Sequence, residues 1–175
     1  TAADAGGGIY TGGADGSNPL AIRRAIFKSN DGLAGGGIFA TGPMDITNTT
    51  FYDNSASDTG GGISVQGTSP LVRLAFVTMT RNTAPTAAAI YGGSATPNTR
   101  IKNSIIASNY VDAENFDDCI GTLISEDYNY IAAAASCTIT PQTHDLIDHP
   151  AGSIYFTAIP SDEGGNVEVT ALWET

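Results

Sequence analysis

Cys119 and Cys137 are the chain's two thiols, 18 residues apart. Such a pair can close a disulfide loop contributing about 3 kcal/mol by the chain-entropy account. It can also stay as buried thiols or help ligate a metal. A tetrahedral zinc site needs further Cys or His ligands, and no histidine stands beside either cysteine. The disulfide is the preferred reading, with buried thiols as its alternative. His144, Asp145, Asp148 and His149 form the pattern His-Asp-x-x-Asp-x-His. These are metal-ligand types, but spacing alone does not converge them without a helix. A solvated loop before Pro150 is the preferred reading. Asp45 and Asp53 are the carboxylates best placed for the paired acid and base of a glycoside hydrolase. Nothing in the pattern sets an acid against a base, and aspartates in turns are ordinarily turn residues. The basic residues Arg23, Arg24, Lys28, Arg73, Arg81, Arg100 and Lys102 are scattered singly, which does not build a lyase base beside a carboxylate cluster. The acidic turns at 15–18, 53–58 and 112–118 leave open a structural calcium ion, which needs six to eight oxygens. No catalytic residue, metal ligand or cofactor is assigned on these grounds.

The overall charge narrows the partners. Seven Lys and Arg against 18 Asp and Glu give a net charge of −11. Phosphate backbones demand clustered cations, so general nucleic-acid binding is excluded. Anionic membrane surfaces are disfavoured, and no apolar run reaches membrane-spanning length. Two cysteines with little lysine fit a secreted protein. At 175 residues the chain reads as one domain. It opens inside a repeat, which reads as a mature or excised segment.

What must position any site is a repeat. GGGI recurs at 6–9, 35–38 and 60–63, with a degenerate AAAI at 87–90. Alternating with it are FKSN (27–30), FYDN (51–54), MTRN (79–82) and IASN (106–109). Eight residues before each closing Asn stands an aliphatic residue: Ile22, Ile46, Leu74 and Ile101. Fixed offsets beside Asn, with variable lengths elsewhere, describe strands joined by elastic turns. The β-branched, Thr-rich segments bounded by Gly, Asn, Asp and Pro favour strand over helix. One turn of a parallel β-helix per repeat satisfies all of this. Equivalent side chains then stack about 4.8 Å apart. Three internal columns are expected: Ile9, Ile38, Ile63, Ile90; Ile22, Ile46, Leu74, Ile101; and Phe27, Phe51, Met79, Ile106. Asn30, Asn54, Asn82 and Asn109 are expected to form an amide ladder at one corner, a place where Asn tolerates left-handed geometry. The triple Gly permits a sharp turn and close approach of neighbouring coils.

Tyr10, Phe39 and Tyr91 follow the GGGI-type motif at one offset, with Ser64 interrupting. Alternation turns them outward. They either cover the glycine turns or contact a glycan or a partner chain.

The alternation of GGxI and FxxN resembles the repeats of the polymorphic outer-membrane proteins, bacterial surface β-helices and adhesins. The segment NSIIASN…DDCIGTLISEDYNYI…SCTI is similar to the end of large secreted bacterial β-helices of the CSLREA-domain type. The resemblance runs from about Gly6 to Leu146. It departs at Ala87–Ala89, which replace glycines, and at Met79 and Ile106, which replace Phe. It implies a bacterial extracellular or cell-surface location and, with the crossover rule, a right-handed solenoid.

The expected architecture is therefore all-β: a right-handed parallel β-helix whose C-terminal end is irregular and disulfide-stapled. Residues 1–118 carry the GGGI/FxxN coils; residues 119–175 hold the final irregular coils and a cap. The expected function is a non-catalytic structural or adhesive rod. It would stack head to tail, or join neighbouring coils of a longer chain, with a host or matrix glycan as a further partner. A carbohydrate-active enzyme or glycan-binding module is the alternative.

Overall fold

A computed structural model describes residues 5–12, 18–67, 71–92, 99–113 and 115–148. The described residues form an all-β parallel solenoid of about four turns, with no helix among them. Each regular coil uses three strand segments. In the second coil these are Ile38–Ala40, the long strand Met44–Tyr52 bent at Asn48, and Ser55–Thr59. Parallel pairing stacks each on its counterpart in the next coil.

The register is the one the offsets predict. Ile22 pairs with Ile46, Ile46 with Leu74, and Leu74 with Ile101. Phe27, Phe51, Met79, Ile106, Ile131 and Ile147 make a second continuous column. Ile9, Ile38, Ile63, Ile90 and Cys119 make a third. Stacking therefore continues past Cys119, through Cys119–Ser125, Tyr130–Ile131, Cys137–Ile139 and Leu146–Ile147. A strand buries one face by alternation, and here that face lines the coil interior. Phe51, Ile38, Ile63, Met79, Ile90 and Ile106 are wholly buried. Phe27 and Phe51 lie face to face, 4.8 Å between centroids and 5° between planes.

The triple glycine divides its labour. Gly35 and Gly60 open the motif at φ +64° and +63°, which a side chain resists. The third glycine has an ordinary φ but no room. A Cβ at Gly37 would lie 2.6 Å from the Gly62 carbonyl oxygen and 2.9 Å from the Phe51 ring. In the fourth coil Ala87 keeps the left-handed turn, at φ 53°.

Cys119 and Cys137 form a disulfide, Cα atoms 5.6 Å apart. It ties the strand Cys119–Ser125 to Cys137–Ile139, which pairs beside it from Gly121 onward. Of the expectations drawn from sequence, the cap at 138–175 falls mostly outside the described residues, as do His149 and most of the acidic turn at 15–18.

Phe51→Ala is expected to lower the unfolding free energy by about 3–5 kcal/mol in urea denaturation. A loss under about 1 kcal/mol would contradict the column packing.

Candidate functional site

The most constrained polar structure in the molecule is the corner that follows the Phe27–Ile106 column. Asn30 Nδ2 donates to Asn54 Oδ1 at 2.8 Å, Asn54 Nδ2 to Asn82 Oδ1 at 2.9 Å, and Asn82 Nδ2 to Asn109 Oδ1 at 2.8 Å. Each backbone N–H of Asn30, Asn54 and Asn82 donates to the same Oδ1 of the following coil. The second amide hydrogen turns back to the preceding coil: Asn54 to Phe27 O and Asn82 to Phe51 O. Asn54 and Asn82 thereby use two donors and two lone pairs, the full capacity of a carboxamide. Both are wholly buried, as is Asn109.

Of the two reasons expected for Asn at this corner, the amide bonding is present and the left-handed backbone is not. The left-handed residue is the one before it: Ser29, Asp53, Arg81 and Ser108 have φ of 53°, 57°, 58° and 59°. The four asparagines are absent from the left-handed set. Their amides, and not their backbone tolerance, suit them to the corner.

The ladder has a direction, donor toward the next coil, and so needs a terminal acceptor. Coil five has Ala134 where Asn is due, three residues after Ile131. Asp118 fills the gap. Its Oδ1 accepts from Asn109 Nδ2 at 2.7 Å and from Asn109 N at 3.3 Å; its Oδ2 accepts from Ala133 N at 2.8 Å. Asp118 precedes Cys119, which stacks on Ile90, so it occupies the third-glycine position of its coil. In earlier coils that glycine faces the corner: a Cβ at Gly8 would lie 3.4 Å from Asn30 Cγ, and one at Gly62 3.6 Å from Asn82 Cγ. The polar group has moved from one side of the corner to the other. Burial pushes the Asp118 carboxyl up to about 7, against the lowering by its N–H donors.

A second, shorter ladder runs beside the long-strand bend. Val77 N donates to Ser104 Oγ, Ser104 N to Asn129 Oδ1, and Asn129 N to Asp145 Oδ1. It too ends on a carboxylate, which also accepts from the Ser125 hydroxyl and Gln142 N.

The other candidate residues are not gathered into a reactive group. Asp45 meets Arg73 at 3.4 Å, with both largely solvated. Asp53 lies on the far side of the bend at Asn48 and accepts from Ser29 Oγ at 3.4 Å. Asp112 binds the amide and backbone N–H of Asn115. Tyr10 stacks on Phe39 with centroids 5.5 Å apart, but the buried Ser64 separates Phe39 from Tyr91. His144 pairs with Asp127 at 2.8 Å. Among the described residues no three His, Cys, Asp or Glu side chains gather as a metal site.

Sequence reasoning missed Asp118 and Asn129. The signal for Asp118 was present: Cys119 lies 29 residues after Ile90, the same step as Gly6 to Gly35, which sets FDDC on GGGI. Compared with protein-family models, curated proteins and solved structures, the chain finds no match.

Two outcomes follow. Asn82→Ala removes the acceptor of the Asn54 N–H and of one Asn54 Nδ2 hydrogen, and the donor to Phe51 O and Asn109 Oδ1, in a dry corner, and should cost about 2–4 kcal/mol in urea denaturation. Asn30→Ala, at the half-open end, should cost less than about 1 kcal/mol. For Asp118 the folded carboxyl holds its proton to about pH 7 and the unfolded one only to about 4. The folded state binds the extra proton between these values, so this group's contribution to stability falls as pH rises from about 4 to about 7. Asp118→Asn should remove that slope, read as the pH dependence of the variant-minus-parent unfolding free energy.

Proposed function

We propose that this chain is a non-catalytic structural segment of an extracellular rod, of the bacterial surface β-helix type, whose N-terminal end accepts another coil. The observation that carries the reading is the unfilled state of that end. Asn30 Oδ1 accepts no hydrogen bond among the described residues, whereas Oδ1 of Asn54, Asn82 and Asn109 each accepts two. The core is exposed along the same face. Leu20 is 40% exposed, while Met44 and Val72 in its column are at 0%.

An open parallel edge with a row of unpaired backbone groups is a template for more strand. The occupant is either an adjoining coil of a longer chain or the far end of a second copy. Head-to-tail contact that does not close on itself propagates as a filament. The disulfide is in keeping with an oxidising compartment, and the net charge of −11 with solubility of an extended surface. The GGxI/FxxN resemblance supports the bacterial surface assignment.

Light scattering after size exclusion, with negative-stain electron microscopy, tests the association. The expected result is concentration-dependent end-to-end oligomers that Leu20→Lys disperses while circular dichroism stays strand-like. A chain that remains a folded monomer at every concentration would remove self-stacking and leave only the adjoining-coil version.

A further inference from the structure

The bend of the long strand stacks a left-handed residue in every coil: Arg24, Asn48, Phe76, Asn103 and Tyr128, with φ of 53°, 51°, 56°, 49° and 61°, the last of them preceded by Asp127 at φ 79°. Asn tolerates that region; a bulky aromatic is strained in it. Burial does not offset the strain, because Phe76 is 55% exposed and Tyr128 56%. Tyr128 recovers part of that strain by stacking on His144; strain held at the exposed Phe76 points to a binding role.

The neighbourhood is prepared for a ligand. The Tyr128 ring lies flat on His144, centroids 4.4 Å apart and planes within 2°. Asp127 fixes the imidazole, accepting from His144 N at 2.8 Å and meeting Nδ1 at 2.8 Å. Asn103 stands between Phe76 and Tyr128, and its carboxamide has no hydrogen-bond partner among the described residues. Its short side chain leaves a gap two coils tall, about 9.6 Å. A surface groove of about 470 Å³ opens there, lined also by Ile105 and Leu146. The depression is open to solvent along its length, so it offers contact faces to a ligand and does not enclose one.

We infer that this corner binds an uncharged oligosaccharide. A pyranose offers apolar C–H faces to aromatic rings and hydroxyls to a free carboxamide. Phe76 and Tyr128 supply the faces, and Asn103 supplies the donor and acceptor. Among the described residues no Lys or Arg lines the groove. On a chain of net charge −11 that disfavours polyuronates and other acidic glycans.

Isothermal titration of the full chain with cellohexaose, chitohexaose and mannohexaose tests the inference, with tetragalacturonate as the acidic control. At least one neutral probe should bind and the acidic one should not. Phe76→Asn restores the residue type that Asn48 and Asn103 place at this corner. It should hold or raise Tm while weakening binding at least about tenfold, as for loss of an aromatic anchor. Asn103→Gly keeps the left-handed backbone and should weaken binding with Tm held. Three outcomes would each overturn the inference: no neutral probe binding at millimolar concentration, parent-like binding by Phe76→Asn, or tetragalacturonate binding as tightly as the neutral probes.

Discussion

A carboxamide buried away from water must find partners for two donors and two lone pairs, or the corner that holds it is destabilised. In this chain the partners lie one coil up and one coil down. Asn54 reaches back to Phe27 O and forward to Asn82 Oδ1. Neither bond survives a shift of register by one residue, which would also turn the Ile and Phe columns out of the core. The hydrophobic columns supply most of the driving force; the amides fix which coil residue sits over which.

Because every amide-to-amide bond runs in one direction, the two ends of the solenoid differ chemically. The forward end requires a group that only accepts, and Asp118 and Asp145 close the two ladders there. Burying a carboxylate is costly, and its donors offset that only in part, which is why Asp118 titrates near neutrality. The other end presents an acceptor, Asn30 Oδ1, together with exposed core at Leu20. In the proposed end-on addition, this asymmetry would select a donor-bearing coil for the N-terminal face.

Fold and register were legible in the sequence because stacking forces equivalent residues to repeat at fixed offsets from Asn. The left-handed turns were less so. Asn looked suited to its corner by backbone tolerance, yet the tolerance is demanded of Ser29, Asp53, Arg81 and Ser108, which span three side-chain types. Asp118 read as one of several acidic loop residues, since only pairing Cys119 with Ile90 shows that it takes a glycine's place. Phe76 was legible only in principle. It lies six residues before Asn82, the offset at which Asn48 and Asn103 precede their own closing asparagines. An aromatic there departs from the column, but its exposure and φ come from the structure alone.

The central claim is that the corner asparagines form one hydrogen-bonded file. Hydrogen exchange of the side-chain amide protons, followed by NMR, tests it most directly. The account predicts that the Nδ2 protons of Asn54, Asn82 and Asn109 exchange only when the solenoid opens, and those of Asn30 faster. Exchange of all four at the rate of a solvent-exposed carboxamide would contradict it.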